Sequence, residues 1–221
     1  MTSGLVLALI FCTTTISFAE KEVKIFNGKD FKGWTKRGGA ATYRVEDGVI
    51  IGRSAPNTPN TFLCTDEHFG DFTLELDFKV DTKHNFNSGV QIRSHSRKEG
   101  DSERVYGYQV EIDTNRDRAW TGGIYFEGGS KERGAGWLDD LKNNEAAQKQ
   151  RKLGEWNHFK IECKDRTIKT WLNGVQAANF TDKDDKAFAP DGFIALQVHG
   201  VGDQKEPLEV RWKNIKLTVP E

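Results

Sequence analysis

The sequence is poor in cysteine, with three in 221 residues, and no two of them are spaced as Cys-x-x-Cys. Structural zinc sites and thiol redox motifs use that spacing, so neither is indicated. Basic residues do not dominate either. The chain has 32 Lys and Arg against 33 Asp and Glu, a formal net charge of −1, and no basic block interleaved with aromatic residues. A nucleic-acid partner is therefore not supported.

Methionine and proline are also scarce, with one and five residues, whereas glycine (22) and tryptophan (six) are frequent. This balance favours a β-rich protein over a helical one. The chain has no Pro-rich or Ser-rich hinge and no internal repeat, and its length is enough for one hydrophobic core. We therefore predict a single domain over residues 20–221.

The apolar run near the N-terminus, Leu5–Phe11, is too short to cross a bilayer. The later segment Ser17-Phe18-Ala19 has the small-x-small form of a signal-peptidase site, although no Lys or Arg precedes the apolar run. A lipoprotein signal would need a small residue directly before Cys12, where the sequence has Phe. We predict that residues 1–19 are a cleaved signal peptide and that the exported chain has no transmembrane anchor.

Export would place Cys64 and Cys163 in an oxidising compartment. Each lies in phase with apolar neighbours, Cys64 with Phe62 and Cys163 with Ile161, so both side chains are expected on apolar faces. We predict two buried free thiols. The alternative is a disulfide between them, which the sequence does not decide.

Tight-turn dipeptides such as Asn27-Gly28 and Asn173-Gly174 separate short strand-like segments along the chain. One polar stretch, Asp139–Lys152, breaks the pattern and suits a short surface helix. Roughly ten strands at this spacing predict an all-β fold of antiparallel sheets, either a sandwich or a jelly roll. The predicted strands are Tyr43–Val45, Val49–Gly52, Thr61–Cys64, Phe72–Val80, Gly89–Ser94, Tyr106–Asp113, Gly122–Phe126, Asn157–Cys163, Thr167–Leu172, Phe193–His199 and Leu208–Leu217.

The segment Tyr108–Asp113 alternates strictly, with apolar residues on one face and Gln109, Glu111 and Asp113 on the other. Packing does not require this polar row, and two carboxylates two residues apart on one face repel each other. The row therefore marks a candidate site. The alternative is a solvated outer face that happens to be acidic.

Two other predicted strands carry polar rows of the same kind, Gln91 with Arg93 and Gln197 with His199. If these strands are neighbours of the Tyr108–Asp113 strand, amide, carboxylate and guanidinium groups share one face, which suits a polyhydroxylated ligand. The competing interpretation is that these side chains are simply solvated. The aromatic residues that can stack on the apolar faces of sugar rings are Trp120, Tyr125 and Trp137.

A series of motifs runs in order through the chain: Phe26–Trp34, Val45–Ile50, Asn87–Arg93, Tyr108–Asp113, Thr121–Tyr125, Gly154–Asn157, Leu172–Gly174, Leu196–Gly200 and Trp212–Ile215. In this set the sequence resembles the 3-keto-disaccharide hydrolase family, long described as a domain of unknown function, over residues 23–218. One departure is that many members have Glu-x-Gln on the central strand, whereas this chain has Gln109-Val110-Glu111.

The resemblance implies a concanavalin A-like jelly-roll sandwich and a bacterial protein exported to the periplasm or the extracellular space. It also implies action on glycosides whose C3 hydroxyl has been oxidised to a ketone, and a sugar 3-oxidoreductase acting upstream. It adds Asn87 to the candidate substrate-binding residues Gln91, Gln109 and Gln197.

Ordinary glycoside hydrolysis needs two carboxylates across the glycosidic bond. Related jelly-roll glucanases have Glu-x-Asp-x-x-Glu on one strand, but here Arg116 stands where the second Glu would be. A 3-keto sugar instead allows a base to remove the proton on C2, which is acidified by the ketone, so that the enolate expels the C1 oxygen and water then adds back. This route needs a base, an enolate stabiliser and an acid.

We assign Glu111 or His199 as the base, Arg93 as the stabiliser of the enolate oxygen, and Asp113 as an orienting group or acid. A divalent cation held by Glu111, Asp113 and His199 is an alternative stabiliser, since carboxylates with imidazole suit several metals.

Two other classes of function remain open at this stage. A non-catalytic carbohydrate-binding module would use the same fold and the same polar face. A structural or interaction module would show neither a pocket nor a perturbed acid on the face that carries Glu111.

Overall fold

Two antiparallel β-sheets form an open sandwich in the computed structural model, which describes residues 19–221. Apart from Ala19, the predicted signal peptide lies outside the described residues. The strands are β1 (Glu20–Val23), β2 (Trp34–Gly38), β3 (Thr42–Glu46), β4 (Val49–Arg53), β5 (Thr61–Thr65), β6 (Phe72–Val80), β7 (Ser88–Glu99), β8 (Ser102–Ile112), β9 (Ile124–Glu127), β10 (Gly136–Asp139), β11 (Asn157–Lys164), β12 (Thr167–Leu172), β13 (Val175–Thr181), β14 (Phe193–Val198) and β15 (Glu209–Pro220). A single turn of α-helix, α1, spans Glu145–Gln148, and none of the helices in residues 19–221 is long and apolar enough to cross a membrane.

The first sheet, sheet A, has the order β13–β12–β11–β6–β15–β4–β3, with β1 also paired to β15. The second, sheet B, has the order β10–β9–β8–β7–β14–β5–β2. The predicted jelly-roll sandwich is confirmed. The three strands that carry the polar rows, β8, β7 and β14, are consecutive in sheet B.

The core lies between the two sheets and is built from the alternation seen in the sequence. In β6 every second residue from Phe72 to Val80 is buried, and the residues between them are partly exposed. Val90, Ile92 and Val110 face the same core from sheet B, and Trp212 of β15 is completely buried in it. Burial of each such side chain stabilises the fold by roughly 1.5–3 kcal/mol. The apolar rows therefore determine which face of each strand turns toward the core and which face can carry polar side chains.

A bulge in the β7–β8 hairpin bends its outer half. Ile92 pairs with Tyr108 and His95 pairs with Tyr106, so Arg93 and Ser94 oppose the single residue Gly107. Both Arg93 (φ 45°) and Gly107 (φ 137°) have positive φ. An extra residue of this kind bends and twists the strand pair.

Beyond the bulge, residues 94–106, which we call the hairpin arm, fold over the outer face of sheet B. Val105 packs there in a separate apolar cluster with Phe62 and Cys64 of β5 and with Phe193 and Ala195 of β14. The tip of the arm is also held, because both carboxylate oxygens of Glu103 accept from Arg37 Nη1 of β2 at 2.8 Å. The arm therefore covers the part of this face that β5 and β14 form, and Arg97 Nη1 ties it to the Gly129 carbonyl after β9 at 2.5 Å.

The sequence predicted too few strands. Fifteen occur in residues 19–221, and the missed ones include β2, β10 and β13, all at sheet edges. Edge strands are packed on fewer sides, so they show little alternation. The helix predicted within Asp139–Lys152 is confirmed as α1, which is capped by Asn144 Oδ1 accepting from Ala147 N at 3.1 Å.

The cysteine prediction is also confirmed. Cys64 and Cys163 are both free and buried. Burial raises the pKa of both thiols, that of Cys163 to about 12, which keeps them protonated and unreactive at neutral pH.

Candidate active site

The outer face of sheet B carries a continuous patch of buried polar side chains. Register places Gln91 of β7 opposite Gln109 of β8, and Gly89 of β7 opposite both Glu111 of β8 and Gln197 of β14. These four polar side chains are at most 3% exposed. Together with Tyr125 and Glu127 of β9, which lie on the same face of the neighbouring strand, they form what we call the polar face.

A directed chain of hydrogen bonds leads to the Glu111 carboxylate. Ser94 Oγ donates to Gln91 Oε1 (2.8 Å), Gln91 Nε2 to Gln109 Oε1 (2.7 Å), and Gln109 Nε2 to Glu111 Oε2 (2.7 Å). Asn87 Nδ2 donates to the other carboxylate oxygen at 2.5 Å. Both oxygens of Glu111 are thus held by neutral amides, which fixes the position of the group.

A glycine is required at position 89, next to this series of hydrogen bonds. A Cβ at that position would lie 2.5 Å from Gln109 Cδ. The missing side chain leaves the space in which the Gln109 amide reaches Glu111.

Burial raises the pKa of Glu111 to about 8. The hydrogen bond from Gln109 and the positive charge of Arg118 lower this pKa, and the negative charges of Asp113 and Glu127 raise it. Desolvation dominates because the carboxylate leaves water for a site that supplies only amide donors. A carboxyl group that titrates near neutral pH is suited to proton transfer.

Gln109→Met is expected to raise the pKa of Glu111 further, because methionine keeps the length of the side chain and removes the donor. The free energy of unfolding should also fall by about 1–3 kcal/mol, since Gln91 Nε2 loses its acceptor. The carbon-13 shift of the Glu111 carboxyl as a function of pH gives the first quantity and urea unfolding the second. Gln176→Met, at an exposed position, is the control. An unchanged Glu111 titration would contradict the hydrogen-bond chain.

Asp113 lies next in the row but organises the loop that follows β8. Its Oδ2 accepts from Arg118 Nε at 2.9 Å, and its Oδ1 accepts from Asn115 N at 2.9 Å. Arg151 supports the same loop, with Nη1 donating to the carbonyls of Asp113 and Asn115 at 2.8 Å and of Arg118 at 3.0 Å. These contacts show that Asp113 holds the loop that carries Arg118 and Trp120.

The loop presents an aromatic cluster at the edge of the polar face. The rings of Trp120 and Tyr125 meet that of Trp137 edge to face, with centroids 4.8 and 5.3 Å apart. Arg118 lies over Trp120 and Trp137, at 4.8 and 5.6 Å from the ring centroids. The three predicted stacking residues are therefore together, and partly exposed.

Arg93 is not part of the polar face, which corrects the sequence expectation. Its side chain is 1% exposed and donates to Gly70 O (2.7 Å), Asp165 O (2.5 Å) and Asp71 Oδ1 (2.7 Å). Those partners adjoin strands of sheet A. The bulge is the physical reason, because the extra residue turns Arg93 out of the alternation that places Gln91 on the polar face.

His199 follows β14 and lies near a carboxyl group that the sequence analysis missed, that of Glu127. Glu127 Oε1 accepts from Asn60 Nδ2 at 3.4 Å, although three strands separate β9 from β5. Burial raises the pKa of Glu127, while the charges of Arg104 and His199 lower it. Glu127 therefore reaches across the polar face toward His199. The sequence could have indicated Glu127. Extending the predicted strand Gly122–Phe126 by one residue puts Glu127 on the same face as Tyr125.

Several polar atoms at this face have no protein partner. Among residues 19–221, the buried atoms without a hydrogen bond include both polar atoms of the Gln197 amide, Asn87 Oδ1 and Arg37 Nε. Buried polar groups are nearly always satisfied. Of these residues, Asn87 contacts Glu111 directly and Gln197 lies opposite Gly89, which also pairs with Glu111, so their hydrogen-bonding capacity is available to a ligand.

The residues do not fit the metal site considered from the sequence. No group of three or more His, Cys, Asp or Glu side chains within residues 19–221 is arranged to hold a metal ion. Glu111 is held by amides, Asp113 by its own loop, and His199 Nδ1 by Gly200 O at 2.7 Å.

The open antiparallel sandwich, with its polar face on one sheet, defines a protein of the concanavalin A-like jelly-roll class. Residues 21–218 match the sequence profile of the family described as the 3-keto-alpha-glucoside-1,2-lyase-like domain. The chain belongs to this family. No curated protein sequence matches the chain.

Similar solved structures share the fold. One is a Parabacteroides distasonis protein provisionally assigned as a glycosyl hydrolase, with 22% identity, a TM-score of 0.57, and coverage of 89% of this chain and 92% of that one. Another is the carbohydrate-binding module CBM66 from Bacillus subtilis, with 19% identity, a TM-score of 0.58, and coverage of 85% and 96%. A third is a Bacillus subtilis protein of unknown function with a galectin-like fold, with 12% identity, a TM-score of 0.58, and coverage of 86% and 92%.

Proposed function

We propose that this protein cleaves the glycosidic bond of 3-keto-glycosides by elimination across C1 and C2, followed by addition of water. The observation that carries the proposal is Glu111, a buried carboxyl group whose pKa is raised to about 8 and whose two oxygens are positioned by neutral amides. The family description, a 1,2-lyase acting on a 3-keto-α-glucoside, supports the same bond and the same chemistry.

The reaction begins with removal of the C2 proton by Glu111. The electron pair of the C2–H bond forms the enolate with the C3 ketone, and the enolate then expels the C1 oxygen, which takes up a proton as it leaves. Water adds to C1 of the resulting enone and returns a proton to C2. The balance is one glycoside and one water giving one 3-keto sugar and one alcohol, with no oxidant or reductant.

Glu111 suits the role of base because its environment makes the carboxylate unusually basic. The proton on C2 is weakly acidic even beside a ketone, so a base with a raised pKa abstracts it more readily than an ordinary carboxylate. At the same time the amides of Asn87 and Gln109 keep the charged form in one orientation.

The remaining roles fall to groups on the same face. With Arg93 directed elsewhere, the enolate oxygen has the Gln197 amide, whose Nε2 has no partner among the described residues, as its candidate donor. His199 and Glu127 are the groups available to protonate the leaving oxygen. Because Nδ1 of His199 bonds to the Gly200 carbonyl, its Nε2 is the nitrogen left to exchange a proton with substrate.

The test is proton NMR of the protein in D2O with methyl 3-keto-α-glucoside, beside the unoxidised methyl glucoside as the control. We expect release of 3-keto-glucose carrying deuterium at C2, and no reaction of the control. Cleavage of the unoxidised glucoside at a similar rate would contradict the proposal, because elimination requires the ketone. The expected result, cleavage of the 3-keto-glucoside alone, would mean that a sugar 3-oxidoreductase must supply the substrate in the organism.

A carbohydrate-binding module is the second candidate function, and the aromatic cluster of Trp120, Tyr125 and Trp137 favours it, since stacking rings bind sugars without chemistry. A binding module would show saturable binding of unoxidised sugars and no product in the NMR experiment. It would also tolerate loss of the Glu111 charge with only a weaker affinity.

A further inference from the structure

Arg118 is a cation at the edge of the polar face, in the loop that follows β8. Its guanidinium lies over the rings of Trp120 and Trp137, at 4.8 and 5.6 Å from their centroids. Trp137 in turn meets the ring of Tyr125, a member of the polar face, with centroids 5.3 Å apart. A single aromatic side chain therefore separates Arg118 from the polar face, so a substituent of a substrate bound there can reach the guanidinium.

One side of the Arg118 guanidinium is fixed by the protein. Its Nε donates to Asp113 Oδ2 at 2.9 Å, and the side chain of Asp113 is 2% exposed. The backbone of the loop is held as well, because Arg151 Nη1 donates to the carbonyls of Asn115 and Arg118 at 2.8 and 3.0 Å. A guanidinium that is already held in place loses less conformational entropy when it binds a ligand than a freely moving one does.

The other side of the guanidinium is available to a ligand. The side chain of Arg118 is 37% exposed, and the bond from Nε is its only side-chain hydrogen bond within residues 19–221. Four of the five N–H donors of an arginine are on Nη1 and Nη2. These nitrogens form a rigid fork that matches the two oxygens of a carboxylate.

The loop around Arg118 carries more positive than negative charge. Residues 113–118 contain two aspartates and two arginines, and Arg151 adds a third cation, which bonds to neutral carbonyls. The charge of Arg118 also lowers the pKa of Glu111, so its field reaches the proposed base. An anionic group on the substrate would be attracted by Arg118, and this attraction offsets the repulsion from Glu111 when that carboxyl group is ionised.

We infer that Arg118 binds a carboxylate of the substrate through Nη1 and Nη2, and that the protein therefore prefers acidic 3-keto-glycosides to neutral ones. The inference rests on the proposed function. The carboxylate belongs either to the oxidised sugar, as in a 3-keto-uronide, or to the leaving group. Both sources present the same pair of oxygens to the guanidinium.

The test uses two pairs of substrates that differ in charge and little else. One pair is methyl 3-keto-glucuronide and its uncharged amide, which places the carboxylate on the sugar. The other pair is para-carboxyphenyl and para-carbamoylphenyl 3-keto-glucoside, which places it on the leaving group. The ratio of kcat/KM for the acid to that for the amide is measured for the wild-type protein, Arg118→Gln, Arg118→Lys and the control Arg53→Gln, at an exposed position on β4.

We expect the wild type to prefer the acid in one of the two pairs, and that pair identifies the source of the carboxylate. In Arg118→Gln the ratio should fall by about 10-fold or more, mainly through KM, because a charge-assisted hydrogen bond is lost. Arg118→Lys keeps the charge but not the fork, so it should keep part of the preference, and the control should keep all of it. Thermal unfolding of each variant shows that it is folded.

If the wild type cleaves the amides and the ratios for both pairs are the same in Arg118→Gln and Arg118→Lys as in the wild type, carboxylate binding is wrong and the proposed function stands. An equal fall in kcat/KM for acid and amide would likewise overturn it, because Arg118 would then only support its loop. If the wild type cleaves neither these four substrates nor methyl 3-keto-glucoside, the proposed function fails and the inference fails with it.

Discussion

Replacing Glu111 by Gln is expected to lower kcat on a 3-keto-glycoside by about 10³-fold, the range that a general base contributes. Glutamine keeps the shape of the side chain and the space beside Gln109 and Asn87, but it cannot accept a proton from carbon. Single-turnover kinetics with methyl 3-keto-glucoside measures the effect. Glu132→Gln, which changes an exposed carboxylate, is the matched control and should keep full activity.

The same substitution has a defined effect on stability. The pKa of Glu111 is raised above its ordinary value in the folded state, so between about pH 4.5 and about pH 8 the folded state binds more protons than the unfolded state. The free energy of unfolding therefore falls as pH rises through this window, by at most about 1.4 kcal/mol per pH unit. Glu111→Gln removes this contribution, so its advantage over the wild type should grow up to about pH 8. Full activity in Glu111→Gln, or parallel stability curves for the two proteins, would rule out the assignment.

Arg93→Met is expected to lower the free energy of unfolding by about 3 kcal/mol, because it removes the side-chain donor to the carbonyls of Gly70 and Asp165 and breaks the ion pair with Asp71, which among the described residues keeps only Asp165 N as a donor. Urea unfolding at pH 7 measures the loss. Arg53→Met, at an exposed position on β4, should change stability by less than about 0.5 kcal/mol.

The activity of the folded Arg93→Met protein separates the two interpretations of this residue. If Arg93 braces the two sheets, kcat measured below the unfolding transition stays near the wild-type value. A loss of kcat by 10² or more at unchanged stability would restore the role in enolate stabilisation that the sequence predicted.

Local alternation predicted the polar face because the strand period of two is a local property. Gln91, Gln109, Glu111 and Gln197 each share a strand with apolar neighbours whose burial fixes the orientation of both faces. Their assembly on one face also needed β7, β8 and β14 to be neighbours, which the sequence analysis could state only as a condition and which the order of sheet B fulfils.

The remaining parts of the site depend on features that alternation does not encode. One extra residue in β7 was enough to remove Arg93 from the polar face, and the only local sign of that bulge is Gly107 on the partner strand. The contact of Glu127 with Asn60 depends on the register and curvature of five strands. The placement of Arg118 over Trp137 depends on a loop that Arg151, from a distant part of the sequence, holds in shape.

The position of β15 has a consequence for how this chain reaches its native state. This strand, the last one in residues 19–221, lies in the middle of sheet A, between β6 and β4, and it also pairs with β1. Sheet A therefore cannot be completed until β15 has been synthesised. The strands β4 and β6 pair with residues more than a hundred positions later in the sequence. Folding dominated by such distant pairings is slow, on the millisecond-to-second scale. Loss of the twelve residues of β15 would leave β6 and β4 as two unpaired edges inside the sheet, a surface prone to aggregation.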